Sequence, residues 1–402
     1  MIKVGVIFGG ESVEHEISII TAIQAMGFMN ENKYQVVPIY ISKDRVWYTG
    51  YVLKDIEIYK DMNDIKRFAT EVCLTKKGNR FVLQKTKGLF NREVEDIDIA
   101  FPIVHGKGVE DGTLAGLLES IGIPFVGPKV LGASIGQDKV VQKQVMQASN
   151  VPVVDYTWFY DFEYELNSED ILKSIKKVGY PVIVKPANLG SSVGISIAKD
   201  EKTVKDCIEE AIKYDKKIIV EKVVDNLLEV DIAVLGNKEE MELSLIGEMN
   251  FSNEFFTFED KYLGPGGKKT GGKTSSKTGS QISGLGFRIP AKIDKDIEKK
   301  IEDAALKAYR CLNLEGVTRF DFLVNKKTKE VFVNEPNTIP GCLAFFFYTP
   351  KGKDYTTLLD ELITLAIKSY KKNSSKITSF ESNVLSTYNG SKGGKGKMKI
   401  QN

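Results

Sequence analysis

Two short runs in the C-terminal third carry the densest chemistry: Arg319-Phe320-Asp321-Phe322 and Val333-Asn334-Glu335-Pro336-Asn337. They read as a hairpin turning at Lys326-Lys327-Thr328-Lys329. Strand side chains alternate with a period of two, so Arg319 and Asp321 share a face, and so do Glu335 and Asn337. Two carboxylates and an amide oxygen are hard ligands suited to Mg²⁺, which leaves room for phosphate oxygens and water. An exposed polar hairpin beside a salt-bridged arginine is the competing reading of these residues alone. A second block runs from Val184-Lys185-Pro186 to Gly190-Ser191-Ser192-Val193-Gly194. Here a strand delivers a lysine, and a Gly/Ser loop follows that can offer N–H groups and hydroxyls to phosphates without a Walker sequence. A third, Ile218-Ile219-Val220-Glu221-Lys222-Val223-Val224, suits an adenine pocket built on main-chain hydrogen bonds, with Glu229 placed for ribose hydroxyls.

One formal match is set aside. Gly267-x-x-x-x-Gly272-Lys273-Thr274 fits a P-loop pattern, but a P-loop needs a strand before it and a helix after it. A charged aromatic turn precedes this one, and Ser275-Ser276-Lys277-Thr278-Gly279-Ser280 follows. The better reading is a mobile lid after Lys261-Tyr262.

These blocks need elements to hold them. Residues 3–8 form an apolar run ending at Gly9-Gly10, after which Ser12 is expected to cap a helix bearing Glu14 and Glu16 in its first turn. Strands are predicted at 36–41 and 97–101, giving a mainly parallel α/β layer, with charged turns separating short strands over 50–95. A second unit starts at Asp138 with a helix and contains strands at 182–185 and 217–221. A third starts near Val230 and holds helices around 294–312 and 355–371 beside the hairpin. Residues 264–286 and the Gly/Lys tail 386–402 are low in complexity and cannot bury cores of their own.

At 402 residues the chain suits two or three domains, and its 42% hydrophobic and 27% charged content is ordinary for a globular protein. A net charge of +2 argues against a nucleic-acid binder. No apolar stretch is long enough for a membrane span, and the N-terminus reads as a strand, so a cytoplasmic protein is expected. The four cysteines are scattered without a C-x-x-C pair, which fits free thiols, and a zinc site is not expected.

The ordered blocks resemble the D-alanine–D-alanine ligases of the ATP-grasp superfamily over roughly residues 1–370. The resemblance rests on Gly9-Gly10 with Glu14 and Ser18, His105-Gly106-Lys107-Gly108, Glu110-Asp111-Gly112-Thr113, Asp138-Lys139 and the blocks above. It continues through Glu259-Asp260-Lys261-Tyr262 to Glu335-x-Asn337-Thr338-x-Pro340-Gly341. It implies an α/β (α+β) ATP-grasp fold: a parallel α/β substrate domain over 1–137, a central subdomain over 138–229 and a C-terminal domain over 230–385. By this likeness Lys139, Lys185 and Lys261 contact ATP phosphates, covered by Gly190, Ser191 and Ser192. Glu221, the main chain from Lys222 to Val224, and Glu229 hold the adenosine. Asp321, Glu335 and Asn337 bind two Mg²⁺ ions, with Mn²⁺ as a substitute. Glu14 and His105 face the first amino acid, Ser191 and Tyr262 close the site with Glu14, and Arg319 with the Gly341 N–H stabilises an oxyanion. The implied function is ATP-dependent joining of two D-alanines through an acyl phosphate, for peptidoglycan precursors, by a homodimer with small-molecule substrates.

The chain departs from that family in several places. Where a polar stretch normally holds the second substrate's carboxylate, it has Cys342-Leu343-Ala344-Phe345-Phe346-Phe347-Tyr348. The segment from Tyr262 to Pro290 is longer than usual, Leu189 stands where the family often has an acidic residue, and the chain beyond about 371, including Ser379-Phe380-Glu381-Ser382-Asn383, has no counterpart. A sister ligase with another acceptor, such as D-serine or D-lactate, is therefore the alternative, with a non-catalytic ATP-binding scaffold behind it.

Overall fold

Val4, Val6, Ile7 and Phe8 have no exposed surface, so the first strand, β1 (Ile2–Gly9), must be covered on both faces. It pairs in parallel with β2 (Tyr34–Ile41) and with a strand at Ile99–Ile103, β7 below. The computed structural model that shows this describes residues 1–88, 92–249, 287–380 and 382–383. Lys261, Tyr262, the lid expected over 264–286 and the tail 386–402 lie outside the described residues.

The parallel character is narrower than expected. β3 (Trp47–Thr49), β4 (Thr70–Lys77), β5 (Arg80–Lys85) and β6 (Glu93–Ile97) extend the sheet by antiparallel pairing, in the order β6-β5-β4-β3-β2-β1-β7. The reason is connection length: short links such as Gly78-Asn79 suffice for antiparallel neighbours, whereas a parallel pair needs a long crossover. Between β3 and β4 the expected turns are two 3-10 helices, Tyr51–Lys54 and Ile56–Lys60, and a helix at Met62–Phe68. The strand expected over 97–101 is broken at Asp98, whose N–H donates to Lys3 O and whose carboxylate accepts Lys3 N–H, both at 2.8 Å. That one residue joins the two ends of the strand order.

The helix after β1 begins later than expected, at His15–Phe28. Ser12 Oγ accepts the Glu14 N–H at 3.1 Å, so Ser12 fixes the approach to the helix rather than capping it. Glu14 sits at the N-cap without using its carboxylate there, and Glu16 alone of the two lies in the first turn.

In the second unit Asp138 caps the helix Lys139–Ala148 through the N–H groups of Val140 and Val141, at 2.9 and 3.0 Å. An antiparallel sheet follows, with β8 (Tyr156–Tyr160), β9 (Val182–Pro186), β10 (Ser196–Ala198) and β11 (Lys217–Lys222) in the order β10-β9-β11-β8. Leu172 and Ile175 of one helix, and Val204, Ile208 and Ala211 of another, bury its back face.

The third sheet contains β12 (Leu227–Gly236), β13 (Met241–Leu243), β14 (Gly247–Met249), β15 (Phe287–Arg288), β16 (Gly316–Asn325) and β17 (Val331–Asn337). Its order is β15-β14-β12-β16-β17, with β13 also on β12. The expected boundary at 229/230 falls inside β12. Ile297, Ile301, Ala305 and Ala308 of the helix Lys295–Cys311 pack on Val230, Ile232, Phe320 and Phe322, so the opposite face looks into a cleft beneath β9 and β11. The helix Tyr355–Ser374 returns to the first unit, where Leu358, Leu359 and Leu362 share a core with β1 and β2.

Gly9 ends β1 at φ +91°, and a Cβ there would lie 2.2 Å from Ile41 O. Gly9→Ala combines left-handed strain with a backbone clash and is expected to cost roughly 2–3 kcal/mol. Urea unfolding checks this; an unchanged midpoint and slope would show that the loop has an unstrained alternative.

Candidate active site

The hairpin of β16 and β17 is irregular. Arg319 pairs with Asn337 and Asp321 with Glu335, but Phe322 pairs with Val333, which leaves Asn334 as an extra residue in β17. Such a bulge breaks the alternation, and Asn334 and Glu335 both line the cleft, a cavity of about 560 Å³. On the other side Asp231 of β12 pairs with Asp321, so Asp231, Asp321 and Glu335 stand in one row across three strands. Arg319 Nε lies 2.7 Å from Asp321 Oδ1 and 3.2 Å from Asp231 Oδ2, while its Nη2 donates to Asp321 Oδ2 at 2.9 Å. Asn337 lies two pairs further along, outside the cavity lining, and its buried Nδ2 has no hydrogen-bond partner among the described residues.

Lysines face this acidic row. Lys139 Nζ is 3.0 Å from Glu335 Oε2 and donates to Leu189 O at 2.8 Å. Lys185 Nζ is 2.8 Å from Glu221 Oε2 and 3.4 Å from Asn334 Oδ1. Lys143, one helical turn after Lys139, is fully buried; its Nζ is 3.2 Å from Glu221 Oε1 and donates to Asn334 O at 2.9 Å. Burial pushes the Glu221 carboxyl up, but Lys143 and Lys185 outweigh it and hold the group below its ordinary value. Burial lowers Lys143, whereas Lys185 ends above its ordinary value because Glu221 and Glu335 outweigh its burial.

Next to these, Lys222 and Val223 spend their N–H groups on Asp155 O and Pro181 O, at 2.9 and 3.1 Å. Val224 lines the cavity, and alone of the expected main-chain donors its N–H makes no backbone bond among the described residues. Glu229 lines the same cavity from β12. Glu221, expected at the adenosine, lines the cavity and is also enclosed between two ammonium groups with 1% exposure.

The Gly190–Gly194 loop approaches Glu14. Ser191 and Ser192 both have positive φ, at 54° and 60°, and the Ser191 hydroxyl donates to Glu14 Oε1. A Cβ on Gly190 would lie 3.0 Å from Glu14 Oε2, so a larger residue there would need the Glu14 carboxylate to give way by a few tenths of an ångström. His105 is 5% exposed, and its Nε2 has no hydrogen-bond partner among the described residues. Burial pushes its pKa down, which leaves a neutral imidazole at neutral pH. Gly341 begins a 3-10 helix, and the space a Cβ would occupy there is open.

Residues 342–347 do not wall this site. Leu343, Ala344, Phe346 and Phe347 join the core of the first unit, and Phe345 stacks on Tyr355 with centroids 4.4 Å apart. Cys342, Leu343 and Ala344 adopt positive φ, which turns the segment inward. The aromatic run that suggested a different acceptor is therefore packing.

Lys143, Asn334 and Asp231 were missed by sequence reasoning. Spacing of four from Lys139 marks Lys143 as its helical neighbour, and spacing of two from Glu229 puts Asp231 on the cleft face. Nothing local announces the bulge at Asn334. Among the described residues no three His, Cys, Asp or Glu side chains form a ready metal cage. Paired carboxylates at neighbouring ladder positions instead suit magnesium held largely by phosphate oxygens.

Fold and cleft together define an ATP-grasp ligase: two α+β layers closing on a space with cations on one wall and carboxylates on the other. Family models bear this out. The D-ala D-ala ligase N-terminus matches residues 3–128 and the C-terminus of the same family matches 145–364. The chain is 36% identical to the D-alanine--D-alanine ligase of Thermosipho melanesiensis over 96% of this chain and 98% of that one. It is 38% identical to the enzyme of that name from Clostridium acetobutylicum, over 90% and 97%. Among solved structures, the D-alanine-D-alanine ligase of Coxiella burnetii matches with a TM-score of 0.75 and 27% identity, over 93% and 96% of the chains. The VanG D-Ala:D-Ser ligase of Enterococcus faecalis matches at 0.74 and 29%, over 91% and 99%. The chain belongs to the D-alanine–D-alanine ligase family.

Glu110 ties the His105 loop to the segment before Gly341. It accepts from Gly106 N at 2.9 Å, Thr338 Oγ1 at 3.0 Å and Ile339 N at 3.1 Å. Burial and then the Glu14 charge push its pKa from 4.5 up to about 7. The fold thus binds a proton that the unfolded chain releases near its ordinary value, so stability is lost as pH rises through about 7. The Glu110→Gln protein is expected to gain stability relative to wild type between about pH 5 and 8. A difference in melting temperature that does not change with pH would contradict this.

Proposed function

We propose that the protein joins two D-alanine molecules at the expense of ATP, supplying D-alanyl-D-alanine for peptidoglycan precursors. The observation that carries this reading is the convergence of Lys139, Lys185, Asp321 and Glu335 on one cavity of about 560 Å³. That charge pattern suits a triphosphate with its counter-ions. Family membership supports the choice of substrates. The reading includes a cytoplasmic homodimer, which rests on the family alone. No helix among the described residues is long and apolar enough to cross a membrane.

In this mechanism Glu14 holds the ammonium of the first D-alanine and His105 lies beside it. Lys139 and Lys185, joined by Lys261, hold the phosphates under the loop of Gly190, Ser191 and Ser192. Val224 and the neighbouring main chain take the adenine, and Glu229 takes the ribose. Magnesium held by Asp321, Glu335 and Asn337 would neutralise charge on the β- and γ-phosphate oxygens. The first carboxylate attacks the γ-phosphorus, giving an acyl phosphate and ADP. The amine of the second D-alanine then attacks the acyl carbon, and phosphate leaves. Arg319 and the Gly341 N–H face the oxygen on which negative charge builds, where fixed donors lower the barrier most. Ser191 bonded to Glu14, with Tyr262, keeps water from the labile acyl phosphate.

D-Alanine alone, with ATP and magnesium, is expected to support full phosphate release and to yield D-alanyl-D-alanine by mass spectrometry. Turnover that requires a second, different acceptor would overturn the assignment. Asp321→Asn and Glu335→Gln are each expected to lower kcat on the order of 100-fold or more in the same assay.

A further inference from the structure

Helix Lys139–Ala148 presents Lys139 and Lys143 on one face, four residues apart, and both reach β17. Only Lys139 lines the cavity. Lys143 is among the largest fully buried side chains and, unlike its partner Glu221, does not line the cavity. A lysine is rarely enclosed in this way unless its charge is used. Its two contacts show the use. One is Glu221 Oε1 at 3.2 Å, the carboxylate whose other oxygen takes Lys185 at 2.8 Å. The other is the carbonyl of Asn334, the bulged residue that turns Glu335 into the cleft.

We propose that Lys143 is a positioning residue for the nucleotide site: by taking half of the Glu221 carboxylate and tethering the Asn334 carbonyl, it leaves the charge of Lys185 available to the phosphates. This rests on the ligase reading for the identity of the ligand. Two lysines and one glutamate leave a net positive charge at the cavity wall. Without Lys143 the whole Glu221 charge falls on Lys185, and that pair becomes neutral. The same ammonium joins three elements, the helix, β11 through Glu221 and β17 through Asn334, so it also holds the two layers of the cleft in register.

The test measures ATP binding in the presence of magnesium by titration calorimetry, alongside steady-state kinetics with D-alanine. Lys143→Met is expected to weaken ATP binding about tenfold or more, as one lost charge-assisted bond would, with the KM for D-alanine little changed. Lys143→Arg keeps the charge and is expected to restore most of the affinity. Once Glu221→Gln removes the carboxylate charge, the further change Lys143→Met is expected to cost little, a coupling that simple packing would not produce. That second pair decides the matter even if Lys143→Met alone does not fold. Wild-type affinity in Lys143→Met, or an equal loss on the Glu221 and Glu221→Gln backgrounds, overturns the proposal. Wild-type protein that turns over ATP without D-alanine would instead overturn the substrate reading, and the binding comparison would still judge Lys143.

Discussion

Glu221 carries its charge at 1% exposure, and an ion so enclosed costs several kcal/mol unless partners replace the water it has lost. Lys143 and Lys185 replace it, and each is itself too buried to stand alone. The three groups come from a helix and two neighbouring strands. None can move far without stranding another. Removing one partner from such a set is far more damaging than its net contribution to stability suggests, because the remaining charge stays buried. The nucleotide cleft is built around this constraint.

The bulge at Asn334 extends the constraint into the third sheet. Its carbonyl meets Lys143 and its amide oxygen meets Lys185, while the next residue, Glu335, turns out to Lys139. One extra residue in β17 thus converts a regular polar face into three successive contacts. Arg319 is fixed in a comparable way between Asp231 and Asp321 on adjacent strands. Its guanidinium keeps its place by holding two carboxylates, so the metal ion proposed at Asp321 would leave Asp231 as an anchor.

The far end of the cleft is assembled by loops. Ser191 meets Glu14, and Glu110 meets Thr338 and Ile339, so the first unit is bound to both others by polar contacts. Beneath them a single hydrophobic core runs from Val4 and Ile39 to Phe347 and Leu362. The first unit and the C-terminal helix are therefore not separable layers, although the sequence divides them.

The residue types were legible from the chain: lysines near Gly/Ser loops, paired carboxylates on a hairpin, and glycines where backbone had to approach closely. Strand and helix periods are local, and caps such as Asp138 announce themselves within three residues. Sequence alone therefore located the helix at Lys139, strands β9 and β11, the β16–β17 hairpin and the helices at Lys295 and Tyr355, with candidate site residues from Glu14 to Glu335, but not β8, β10 or β12. Tertiary structure decided what depends on non-local pairing. It made the first sheet mostly antiparallel, because short connections outnumber crossovers. It put Phe346 and Phe347 in a core, because left-handed residues at 342–344 turn the segment inward. It also recruited Lys143 and Asp231, whose partners lie more than 70 residues away, on elements that meet only in the folded chain.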